Sequence, residues 1–173
     1  MIGGIPKVLV VMGSDSDFEA VEPCFKLLGE FGVMFEAHVC SAHRSPDKAA
    51  ELAKAAEAGG FGVIVAAAGK AAHLPGVLAA YTPLPVIGLP VKSPTLDGLD
   101  SLLSIVQMPP GIPVATVAIG GAENAALLAV QILSAASAPL RERMKAYKRA
   151  LAGRIEEKDA ALRERLRGYI APS

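Results

Sequence analysis

The chain has 173 residues, 52% of them hydrophobic, enough for one sizeable core and too few for two ordinary domains. Lysine plus arginine total 17 and aspartate plus glutamate 17, so the chain lacks the basic footprint of a nucleic-acid binder or a polybasic membrane patch, although local positive charge could still serve a small anionic substrate. No apolar run reaches the roughly eighteen residues that a membrane span needs, and no charged segment followed by an apolar stretch opens the chain as a leader would, so a cytoplasmic protein is expected.

Lys7 to Met12 (KVLVVM) is apolar and rich in β-branched residues, the pattern of a strand buried on both faces of a parallel sheet. Ser16 with Glu19 forms a capping-box pattern, and Phe18, Val21, Phe25 and Leu28 recur at helical spacing up to Phe31. A second strand, Val33 to Val39, leads through Cys40 and the loop from Ser41 to Ser45 into a helix with Pro46 in its first turn, Ser45 as cap and Gly59-Gly60 at its end. His38 alternates with apolar neighbours in that strand and reads as structural. Gly62 to Ala67, Pro85 to Leu89 and Val114 to Ile119 read as strands three to five, with helices near 76–80, 98–107 and 122–136. Alternating β and α units predict a doubly wound, mostly parallel sheet.

From Pro139 the composition turns charged, and Leu140, Met144, Tyr147, Leu151, Ile155, Leu162 and Leu166 form one apolar stripe on a long helix. The chain therefore divides into an α/β domain, 1–137, and a helical extension, 138–173. The extension either packs on a neighbouring subunit or folds back on its own sheet. Cys24 and Cys40 lie among apolar neighbours and are too few for a disulfide framework, so buried free thiols are expected. A mean hydropathy of +0.42 suits a protein that hides apolar surface against copies of itself, a homo-oligomer.

Ligands of open α/β sheets gather at the carboxyl ends of the strands. The loop after strand one, Gly13-Ser14-Asp15-Ser16-Asp17, combines a glycine, two hydroxyls and a following helix N-terminus that favours an anion; phosphate fits there, and Asp17 suits sugar hydroxyls. Plain helix capping by Ser16 is the alternative. The loop after strand two, Ser41-Ala42-His43-Arg44-Ser45-Pro46, offers a guanidinium that can fork onto phosphate oxygens and an imidazole suited to proton exchange, or else only a surface histidine and a salt-bridging arginine. The loop after strand three runs Ala68-Gly69-Lys70-Ala71-Ala72-His73-Leu74-Pro75-Gly76; its small residues leave room for a flat ring, and His73 either caps a substrate or is satisfied inside the fold. No His/Cys/Asp/Glu cluster has metal-ligand spacing, and no Walker A, G-x-S-x-G or G-x-G-x-x-G pattern occurs, so neither a metal nor a dinucleotide is expected. A phosphorelay receiver would need an aspartate where strand three ends in Ala66-Ala67-Ala68, and a flavin module would want aromatic residues that the three loops lack.

At these loops the sequence resembles the class I N5-carboxyaminoimidazole ribonucleotide mutases, the PurE family, through MGSDSD (12–17), SAHRSPD (41–47) and AAHLPG (71–76), and further through PVIGLPV (85–91), LDSLLSIVQMPPGIPVATVAIG (99–120) and ENAALLAVQIL (123–133). The resemblance implies a three-layer α/β/α, flavodoxin-like fold, typically an octamer, and a mutase without cofactor that moves a carboxylate from the exocyclic amine to the neighbouring imidazole carbon in purine biosynthesis. It implies phosphate contacts at Ser14, Ser41 and Arg44, a ribose contact at Asp17, a lid of His73, Leu74 and Pro75, and His43 as the proton shuttle; the loops themselves add Ser16, Ala42, Ala68, Gly69 and Lys70 as candidate substrate contacts. A separate ATP-dependent synthetase would supply the substrate. Ala67 and Lys70 depart from the family, which usually has glycine at both positions. Related carboxylases that use carbon dioxide directly resemble the chain in carrying a basic residue where Lys70 stands, but they have SAHK rather than SAHR and lack HLPG, so the mutase is the favoured expectation and the carboxylase the alternative.

Overall fold

In chain order the elements are β1 (Lys7–Met12), a 3-10 turn (Asp15–Asp17), α1 (Phe18–Glu30), β2 (Phe35–Val39), α2 (Pro46–Ala56), β3 (Phe61–Gly69), α3 (Leu74–Tyr81), β4 (Val86–Val91), α4 (Leu99–Val106), β5 (Ala115–Thr116), α5 (Ala122–Ser134) and α6 (Ala138–Leu166). These come from a computed structural model that describes residues 4–169. All strand pairings are parallel, in the order β2-β1-β3-β4-β5.

The period-two alternation of the strands splits the core into two layers. Val8, Val10 and Met12 of β1, with Val63, Val65 and Ala67 of β3, face α1, α5 and the start of α6; Leu9, Val11, Ile64 and Ala66 face α2, α3 and Ile105 of α4. Helices on both faces of a parallel sheet give the expected three layers. Gly88 in β4 permits close packing there, because a Cβ would collide with Ile105 and come within 3.0 Å of Val114.

Three local expectations are corrected. The capping box belongs to Ser14 and Asp17, not Ser16 and Glu19: the Ser16 N–H donates to Ser14 Oγ, and the Ser14 N–H donates to Asp17 Oδ2 at 3.1 Å. The 3-10 turn comes first and takes the earlier of two overlapping patterns. Ser45 occupies the cap position of α2, but its hydroxyl makes no cap hydrogen bond; it donates to Ser41 O at 3.0 Å and accepts from Ser41 N–H at 3.1 Å. Strand five is only Ala115–Thr116, although Val117 and Gly120 still donate to the carbonyls of Gly88 and Pro90. Cys24 and Cys40 are free and buried, as expected, and burial pushes the Cys24 thiol up to about 12.

The first turns of α6 pack back on the protomer: Leu140 and Met144 are buried, and Arg143 donates to the Phe31 carbonyl at 2.8 Å. Beyond them Leu151, Ile155, Leu162 and Leu166 are exposed. No helix among the described residues is long and apolar enough to cross a membrane.

Candidate active site

In this strand order β1 sends its first connection to one side, to β2, and the chain then returns to the other side as β3. The crevice that opens where the connections diverge lies at the carboxyl ends of β1 and β3. A cleft of about 700 Å³ occupies that place, walled by the loops after β1, β2, β3 and β4.

The loop after β1 is held by its own polar groups. Gly13 N–H donates to the Ala67 carbonyl, tying the loop to β3. The Ser14 amide points at Asp17 Oδ2 and the Ser16 amide at Asp15 Oδ1, each at 3.1 Å, so carboxylate oxygens already occupy positions where amides favour anionic oxygen. Burial pushes the Asp17 carboxyl above its ordinary range; the hydrogen bond from Ser14 opposes that shift and the charge of Asp15 adds to it. A Cβ added to Gly13 would meet nothing closer than 3.6 Å, and its φ lies outside the left-handed region, so the fold itself tolerates a larger residue there.

The loop after β2 starts at Cys40, whose N–H donates to Met12 O at 2.8 Å, and is braced by the paired hydrogen bonds between Ser41 and Ser45. Ser41 Oγ also accepts from the Arg44 amide at 3.2 Å and keeps its own proton to donate. That brace holds the exposed His43 and Arg44 over the cleft, and the Arg44 guanidinium reaches back toward the Gly13 carbonyl at 3.5 Å.

The loop after β3 is a succession of tight turns, Ala72 N–H to Lys70 O and His73 N–H to Ala71 O, each at 2.8 Å, leading directly into α3. It carries His73 to His43: His43 Nε2 and His73 Nδ1 are 2.8 Å apart and the rings meet edge to face. One ring must donate and the other accept, so the pair holds one bridging proton and each ring keeps a second nitrogen for another partner.

The cleft brings together Ser14, Ser16, Asp17, Ser41, Ala42, His43, Arg44, Ala68, Gly69, Lys70, His73 and Leu74. Pro75 is not among its walls; it is buried in the first turn of α3, within 3.6 Å of where a Gly88 Cβ would sit. The fourth wall escaped the sequence reading: Val91, Lys92, Ser93 and Pro94, after β4. Lys92 is ion-paired to Asp97 at 2.7 Å, and the buried Ser93 hydroxyl lies 3.0 Å from both Asp100 oxygens. The strand-end rule that marked the first three loops applies equally to this one. Among the described residues no group of three or more His, Cys, Asp or Glu is placed to hold a metal, and His38 lies in β2, away from the cleft walls.

The chain is similar to known proteins in sequence and in fold. The AIR carboxylase family model matches residues 7–154. The chain is 59% identical over 145 residues to the N5-carboxyaminoimidazole ribonucleotide mutase of Pyrococcus abyssi, covering 84% of this chain and 83% of that protein. It is 55% identical over 168 residues to the mutase of the same name from Mycobacterium tuberculosis, covering 97% and 96%. Among solved structures, Treponema denticola PurE superposes with a TM-score of 0.84 at 30% identity, covering 91% of this chain and 98% of that one.

Proposed function

Because the chain belongs to the AIR carboxylase family, we propose that its cleft converts N5-carboxyaminoimidazole ribonucleotide to 4-carboxyaminoimidazole ribonucleotide, a carboxyl-transferring mutase step of purine biosynthesis. The observation that carries this reading is the His43–His73 pair held beside the Arg44 guanidinium at the strand ends. In the assignment that follows, Ser14, Ser41 and Arg44 hold the phosphate, Asp17 the ribose and His43 the moving proton. Ser16, Ala42, Ala68, Gly69, His73 and Leu74 surround the substrate, and Pro75 supports the lid from within α3.

The chemistry needs little more than this. As the N–C bond of the N-carboxylate breaks, its electron pair stays on nitrogen, which takes a proton from His43, and the carbon leaves as carbon dioxide. The ring carbon then attacks that carbon dioxide, and His43 removes the proton from the same ring carbon to restore aromaticity. One imidazole finishes the cycle as it began. The small residues of the β3 loop leave room for the ring and, under the lid, keep water from the carbon dioxide between the two steps.

Exchanging His43 for asparagine tests the assignment. The expected result is a fall in turnover of roughly 10² to 10⁴ with nucleotide affinity, measured by calorimetry, nearly unchanged; near-normal turnover would overturn His43 as the proton carrier. The same reading assigns the chain to the cytoplasm, with an ATP-dependent synthetase as the upstream supplier, and to a homo-oligomer, an octamer by family likeness. The exposed apolar residues of distal α6, with the 138–173 extension acting as an arm, support assembly.

A further inference from the structure

Lys70 stands out from the other cleft residues by its backbone. Its φ of 56° lies in the left-handed region, where glycine is at ease and a lysine is strained, and such strain is retained where a side chain must be aimed. The residue is exposed, lines the cleft, and sits three positions before His73 on the turn that leads into α3.

The charges around the cleft leave one task unassigned. A phosphoribosyl substrate bearing a carboxylate is anionic at both ends. Arg44 reaches toward the Gly13 loop and so serves the phosphate end, while Lys92 is engaged by Asp97. Asp17 is the acidic residue among the walls and lies on the phosphate and ribose side. The ammonium of Lys70 makes no ion pair or side-chain hydrogen bond among the described residues. It belongs to the wall that carries His73, on the histidine side of the cleft.

Resting on the function proposed above, we propose that Lys70 is the residue that holds the migrating carboxylate, and that it thereby limits escape of carbon dioxide between the two half-steps. Its positive charge favours the N-carboxylate before the N–C bond breaks and the C-carboxylate after the C–C bond forms, and it favours neither neutral carbon dioxide nor the uncarboxylated ribonucleotide. The carboxylated states are thus lowered relative to the state from which carbon dioxide can diffuse away, and recapture gains on loss.

Lys70→Gly is the informative variant, because glycine accepts a φ of 56° and the fold is not strained by the change. The KM for the N-carboxylated ribonucleotide is expected to rise roughly tenfold, the loss of a charge-assisted contact in an open cleft. The Kd for uncarboxylated aminoimidazole ribonucleotide should stay within about twofold, because Lys70 has no carboxylate to hold there. The fraction of turnovers that end in aminoimidazole ribonucleotide plus free carbon dioxide should increase. Lys70→Met should behave as Lys70→Gly, and Lys70→Arg should restore most of the loss. Unchanged KM and carbon dioxide escape in Lys70→Gly, equal weakening of both ligands, or wild-type behaviour of Lys70→Met would each overturn the inference. Failure of the wild-type protein to convert the N-carboxylated compound would instead overturn the function on which it rests.

Discussion

In the proposed assignment Asp17 serves the site at the expense of the fold. Its carboxyl is driven up mainly by burial, so in the folded chain the proton is held more tightly than in the unfolded one, and the ionised form costs stability. The sign follows: wild-type stability gains a contribution as pH falls from the raised folded-state pKa of Asp17 toward the ordinary carboxylate range, and lacks it at neutral pH. Asp17→Asn keeps an oxygen to accept the Ser14 amide and removes the charge. It should be at least as stable as wild type at pH 7, without that acid-side gain, while substrate affinity falls roughly tenfold or more through loss of a charge-assisted contact to the ribose hydroxyls. Thermal melts at pH 7 and pH 4.5, with calorimetric titration of substrate, read both effects; a variant less stable at pH 7 but binding normally would make Asp17 a structural residue.

Single residues were legible in the sequence where one chemical feature dominated. The imidazole and guanidinium of SAHR and the glycine before SDSD stand out at strand ends, and all of them line the cleft. Hydroxyl groups were not legible in this way. Ser14, Ser16 and Ser45 all have the right chemistry to cap, and which one does so depends on a 3-10 turn and a cross-brace that span only a few residues. The resemblance puts Pro75 in a lid with His73 and Leu74; α3 starts at Leu74, and Pro75 is buried in its first turn.

Among the elements, β1, β3 and β4 were the most legible because each runs buried on both faces, so composition alone marks them, whereas β2 lies at the sheet edge with Glu36, Ala37 and Val39 exposed. β5 is the exception: Val114 to Ile119 has a strand-like composition, yet two residues pair in register with β4 while the rest follow it through isolated hydrogen bonds. The wall after β4 was missed because its sequence, Lys92-Ser93-Pro94, reads as an ordinary loop, although it too follows the carboxyl end of a buried strand. α6 answers one half of a choice that periodicity left open. Its first turns bury Leu140 and Met144 on the protomer, and beyond Tyr147 the stripe continues with Ile155 at 64% exposed and Leu162 at 52%. On the proposed reading of distal α6 as an arm onto another subunit, Ile155→Lys with Leu162→Lys should leave the circular dichroism spectrum unchanged and shift the native mass, measured by light scattering, to a smaller assembly. An unchanged mass would mean that distal α6 is not an interface.

At the scale of the whole molecule, the doubly wound sheet turns four separate loops into one chemical environment. Parallel strands point their carboxyl ends the same way, so residues as distant in sequence as Gly13 and Ser93 wall one cleft, and His43 meets His73 across thirty residues at 2.8 Å. The sheet order also brings two imidazoles and three cationic side chains, Arg44, Lys70 and Lys92, from three separate loops to one place. The central claim is that this environment relocates a carboxyl group already on the substrate. It is tested by following formation of the C-carboxylated ribonucleotide from the N-carboxylated compound without bicarbonate and from aminoimidazole ribonucleotide with bicarbonate. The account predicts fast conversion of the first, and activity on the second only at high bicarbonate. Efficient use of the second at modest bicarbonate, with the first reacting no faster than it spontaneously decarboxylates, would contradict it.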